Sequence, residues 1–85
     1  MSRAERRIAE FRDCRGAYKY DELLKVLASL GYEPLKAGKT SGSRRAFINR
    51  AQGNHKLFLH ERHDGVMPQS MVRRIQRSLR EVGLL

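Results

Sequence analysis

Arg44-Arg45-Ala46-Phe47-Ile48-Asn49, then Ala51-Gln52-Gly53-Asn54, then His55-Lys56-Leu57-Phe58-Leu59-His60, reads as a strand, a hairpin connection and a second strand. In the second strand Leu57 and Leu59 fall on one face, and Phe58 and His60 on the other. That is the period of two imposed by a half-buried strand. In the first strand Arg45 and Phe47 share one face, and Ala46 and Ile48 share the opposite one. Phe47 reads as core. The short glycine-containing connection makes the two strands antiparallel neighbours.

Toward the N-terminus, Tyr32 to Lys36 reads as a short strand, and Pro34 marks it as an edge because proline cannot donate to a ladder. The segment Gly38-Lys39-Thr40-Ser41-Gly42-Ser43 joins it to the hairpin as a turn-rich loop. Upstream, Asp21 is suited to cap a helix that buries Leu23, Leu24, Leu27 and Leu30 and stops at Gly31. At the beginning of the chain, Ser2 and Glu5 have the spacing of a capping box. Ala4, Ile8 and Phe11 follow at helical spacing, and Gly16 is a stop.

Downstream of the hairpin, Glu61 to Met67 reads as a polar loop. Pro68 suits the first turn of a last helix. That helix places Val72, Ile75, Leu79 and Val82 on one face and leaves Arg73, Arg74, Arg77 and Arg80 largely outside it. The expected fold class is α+β: a two-layer α-β-β-β-α domain spanning 18–85, with an extra N-terminal helix over 1–17.

With 85 residues the chain is one small domain, of a size that buries only roughly 60% of its unfolded surface. Lys plus Arg number 18 against 9 Asp plus Glu, for a net charge of +9 and a pI near 10.6. Such a field attracts polyanions, and nucleic acid is the expected partner. No apolar stretch reaches the length of a membrane-spanning helix, and Met1-Ser2-Arg3 leads into charge, unlike a signal peptide. The lone Cys14 forms no internal disulfide and suits a reducing cytosol; it reads as a small residue near a helix end.

Gly38-Lys39-Thr40 invites comparison with a phosphate-binding loop. The glycine required five residues earlier is Glu33, and a strand follows where a helix is needed, so nucleotide hydrolysis is excluded. Lys39, Thr40 and Ser43 remain able to contact a phosphate backbone.

His55, His60 and His63 lie within nine residues of one another. No cysteine accompanies them, so no metal site is expected. Histidine suits proton transfer near neutrality. RNA is cleaved without metal when a base takes the 2′-hydroxyl proton, a donor protonates the leaving oxygen and cations stabilise the phosphorane. Arg44, Arg45, Lys56 and Arg62 are close enough in sequence to supply that charge. The alternative is that these histidines are ordinary surface residues. Arg73 and Arg74, near the start of the last helix, are expected to meet phosphates. Tyr18, Tyr20 and Tyr32 do not form the paired aromatic platform of an RNA recognition motif.

Four stretches together resemble the HicA family of bacterial toxins. They are Glu22-Leu23-Leu24 through Leu30-Gly31-Tyr32-Glu33, Gly42-Ser43-Arg44-Arg45, Leu59-His60-Glu61-Arg62-His63-Asp64-Gly65, and Val72-Arg73-Arg74-Ile75 through Val82-Gly83-Leu84-Leu85. The resemblance implies a fold like a double-stranded RNA-binding domain, metal-independent cleavage of messenger RNA in the cytoplasm with no cofactor, and a cognate HicB-like antitoxin. It departs at one position. The family's usual Gly-Ser-His is here Gly42-Ser43-Arg44, while the later family histidine is matched by His63. On this reading His63, His60 and Arg44 are the expected catalytic set. Lys39, Ser43, Arg45, Lys56, Arg62, Arg73 and Arg74 are the expected RNA contacts. Two other readings stand beside it: an RNA-binding module of the same fold that does not cut, and an adaptor docking a protein on Ile8 and Phe11 or on the edge strand near Tyr32.

Overall fold

The computed structural model describes residues 2–35, 44–60 and 64–85, with Arg44 described by its backbone alone. In chain order the elements are α1 (Arg3–Asp13), β1 (Tyr18–Lys19), α2 (Tyr20–Ser29), β2 (Glu33–Pro34), β3 (Arg44–Asn49), a 3-10 turn (Arg50–Gln52), β4 (His55–His60), β5 (Val66–Met67) and α3 (Gln69–Glu81). The described residues form a small α+β domain with three α-helices and antiparallel sheets.

The hairpin runs from the pair Asn49–His55 to the pair Arg44–His60, with β2 added alongside β3 in the order β2-β3-β4. Directly opposed residues share a face. Phe47, Leu57 and Leu59 therefore point together into the core, where they meet Leu23, Val26 and Leu27 of α2 and Val72, Ile75 and Leu79 of α3. Tyr32 and Phe47 are both buried. Lys56, Phe58 and His60 occupy the other face of β4 and are exposed.

Two short strands depart from the expected pattern. Val66–Met67 lies in the segment expected to be a polar loop, yet it pairs antiparallel with Tyr18–Lys19 as a separate two-stranded sheet. Met67 is fully buried. The Asp64 carboxylate accepts from the Val66 N–H at 3.1 Å, and the Gly65 carbonyl accepts from Tyr20 N–H at 2.8 Å. The chain is thus fastened to the start of α2 at Gly65, five residues after β4 ends.

Helix boundaries follow local chemistry. The Ser2 hydroxyl accepts from Glu5 N–H at 3.1 Å, the first half of the expected capping box. Asp21 does not cap α2; Lys19 occupies that position without a side-chain bond, and Asp21 sits in the first turn, where a carboxylate favours the helix dipole. Pro68 stands at the N-cap of α3, just outside the first turn. The ends of α2 and α3 are matched. Gly31 and Gly83 both have positive φ, Tyr32 N–H reaches Leu27 O, and Leu84 N–H reaches Leu79 O, each closing a Schellman motif.

The N-terminal helix shares the main core. Phe11 is fully buried and meets Tyr18 edge-on at 5.1 Å, and Ile8 packs against the same cluster. The apolar face of Ile8 and Phe11 is therefore covered by the chain's own core, which removes it as a docking surface. Two buried polar side chains close the joints. Asn49 donates to Leu30 O and accepts from Ala51 N–H; Gln76 donates to Phe11 O and Cys14 O, both at 2.8 Å.

Candidate nucleic-acid interface

The three histidines divide. His55 is half-buried at the start of β4, where its Nδ1 lies 2.7 Å from the Tyr32 hydroxyl and the rings meet edge-on. It belongs to the packing of Tyr32, just before β2, against the start of β4. His60 is exposed at the other end of the strand, about 17 Å away at the usual strand rise. Among the described residues no three histidine, cysteine or acidic side chains gather as a metal site. His63 lies outside the described residues, as do Lys39, Ser43 and Arg62.

The register sets Arg44 directly opposite His60, the last pair of the hairpin ladder. Along β4, alternate positions carry Lys56, Phe58 and His60, all on the face away from the helices. Phe58 is 48% exposed, the only large hydrophobic side chain so exposed among the described residues. Beside it, Arg74 of α3 donates from Nη2 to the Phe58 carbonyl at 3.0 Å. That bond ties helix α3 to the backbone of the strand edge at Phe58. Lys56, Phe58, Arg74 and Ser78 border a groove of about 300 Å³.

This arrangement joins an aromatic surface, the bonded Arg74, the exposed Lys56 and an imidazole along one strand edge. An aromatic ring flanked by cations binds nucleotides by stacking and by phosphate contact, whatever the base. Phe58 was not among the residues expected from sequence to contact RNA. Its signal lay in the alternation that put it with His60 and away from Leu57 and Leu59.

Two expected RNA contacts are placed elsewhere. Arg45 is opposite Leu59, on the helix side of the sheet, and borders a separate groove with Tyr20, Leu24, Tyr32 and Phe47. Strand alternation turns it away from Lys56 and His60. Arg73 and Arg74 diverge as well, since consecutive helical residues are about 100° apart. Arg74 faces β4, and Arg73 faces α1.

Comparison with protein-family models, with curated proteins and with solved structures gives no match.

Proposed function

We propose that this chain is a HicA-like toxin, an endoribonuclease that cuts messenger RNA without a metal and is neutralised by a HicB-like antitoxin. The observation that carries the reading is the exposed strip Lys56–Phe58–His60, with Arg44 in register across from His60 and Arg74 bonded to its edge. The sequence likeness over four stretches supports the family. The order helix, three-stranded antiparallel sheet, helix over residues 20–81 supports a fold like a double-stranded RNA-binding domain. A cytoplasmic setting agrees with the lone thiol, and no helix among the described residues is long and apolar enough to cross a membrane.

In the proposed reaction a base removes the proton of a ribose 2′-hydroxyl. The 2′-oxygen attacks the adjacent phosphorus, the bond to the 5′-oxygen breaks, and that oxygen takes a proton from an acid. The products are a 2′,3′-cyclic phosphate and a free 5′-hydroxyl. His63 is the principal proton-transfer group and His60 its assistant. Arg44 stabilises the phosphorane. Arg45, facing the helix side, leaves that role to Arg44. Phe58 stacks on a base while Lys56 and Arg74 hold phosphates, and Lys39, Ser43 and Arg62 extend the same contact.

Arg44 at the family's histidine position favours a second reading, an RNA-binding module that does not cut. Incubating the protein with a long single-stranded RNA in EDTA separates the two. Cleavage that His63→Ala abolishes and His60→Ala weakens, with RNA still bound, is the expected result. Intact RNA, retarded equally by parent and variants at high protein concentration, would leave only the binding module.

A further inference from the structure

The end of α1 and the exposed stripe of α3 face each other across a cleft of about 640 Å³. Arg12 and Arg15 stand on the α1 side, and Arg73, Arg77 and Arg80 on the α3 side. The three α3 residues fall at i, i+4 and i+7, one helical stripe about 10 Å long. Asp13 is the one acid lining the cleft, and it pairs with Arg12 at 3.3 Å. That hydrogen bond and charge raise the Arg12 pKa, and Asp13 partly offsets the Arg12 charge. Arg15, Arg73, Arg77 and Arg80 form no ion pair among the described residues.

Four uncompensated guanidinium groups around one cleft repel, and such self-repulsion weakens a compact state unless an anion relieves it. The walls are held firmly. Gln76 forms the floor with its bonds to Phe11 O and Cys14 O, and Gln69 donates to Arg15 O at 2.8 Å. The cations are thus kept together by a buried bracket. Arginine's planar fork suits phosphate oxygens, and charge spread along some 10 Å suits a chain of phosphates more than one small anion.

We propose that this cleft is a second RNA site that takes the phosphodiester backbone, separate from the Phe58 strip. Helix α3 borders both, Arg74 on one side and Arg73 on the other, so one strand can run from the strip across the helix into the cleft. This rests on RNA being the substrate of the strip.

The test is the triple variant Arg73→Gln, Arg77→Gln, Arg80→Gln in the full chain, binding a labelled single-stranded RNA across a salt series. With three phosphate contacts removed, the slope of log affinity against log salt should flatten by about 2, at about 0.7 per contact. Affinity at low salt should drop at least tenfold, and the circular dichroism melt should stay the same or rise. A slope unchanged from the parent overturns the cleft while leaving cleavage by the strip intact. A flattened slope in a protein that never cleaves keeps the cleft and removes the nuclease. An unchanged RNA slope with lost low-salt affinity for polyglutamate would assign the cleft to an acidic protein and overturn the RNA site. Failure of the parent to bind RNA overturns both.

Discussion

His60 and Arg44 are cross-strand partners, the last pair of the β3–β4 ladder and the place where the sheet meets the segment bearing His63. In the proposed cleavage, Arg44 would stabilise the charge that develops on phosphorus, most strongly in the transition state. Arg44→Ala should therefore lower the cleavage rate by about 10²-fold, the usual cost of removing one such stabilising group. RNA affinity should change little, because Lys56 and Arg74 remain. Single-turnover rates at saturating protein measure this directly. An equal loss in rate and affinity would make Arg44 a simple phosphate contact.

Phe58 is half exposed on the face away from the core, so it contributes less to folding than the fully buried Leu59. Removing it should leave stability within about 0.5 kcal/mol. If it stacks on a base, Phe58→Ala should weaken RNA binding by about 1–3 kcal/mol, and Phe58→Tyr should keep most of the affinity. Fluorescence anisotropy and a thermal melt on the same samples separate the effects. Full affinity in the alanine variant would mean that the ring does not touch RNA.

The main hairpin was legible because β4 alternates strictly and its connection to β3 is short, although Phe47, Ile48 and Asn49 are all buried. The same rule held the placement of Arg45. Once Leu59 is inward, the hairpin register carries Arg45 to the inward face, so charge near the histidines in sequence did not mean charge near them in space. The pairing of Tyr18–Lys19 with Val66–Met67 had no comparable signal, because two residues are too few to show a period. Asn49 and Gln76 were equally hidden. A polar residue reads as surface until a carbonyl from a distant segment is found beside it, and Leu30, Phe11 and Cys14 supply those carbonyls. The arginine cleft depends on α1 docking through Phe11 and Gln76, which helical periodicity alone does not reveal.

Gln76 should therefore hold α1 in place. In Gln76→Leu the Phe11 carbonyl keeps its bond from Cys14 N–H at 3.2 Å, but the Cys14 carbonyl loses the Gln76 donor. Leaving this part-buried acceptor unsatisfied costs at the low end of the usual penalty, about 1 kcal/mol. Urea denaturation should show that loss as a lower midpoint with nearly the same slope. The salt dependence of RNA binding should flatten only slightly, since Gln69 and the buried Phe11 would still hold Arg12 and Arg15 opposite α3. A variant as stable as the parent would show that the contact to α1 contributes nothing net.

Burial pushes the Tyr18 hydroxyl up, helped by the nearby charges of Glu10 and Glu22 and opposed by Arg7. An acid whose folded-state value is raised holds its proton longer in the folded chain than in the unfolded one. Its contribution is fully present below the unfolded tyrosine value of about 10 and is lost as pH rises through the higher folded value. Lysines also titrate in that range, so the comparison must be with Tyr18→Phe, which keeps the edge-on contact with Phe11 and cannot ionise. At neutral pH the two proteins should have similar stability. Above about pH 10 the parent should lose stability faster, and the gap should widen until the folded tyrosine itself ionises. Urea midpoints across the alkaline range test this. Parallel curves for parent and variant would mean that the Tyr18 hydroxyl titrates alike in the folded and unfolded chains.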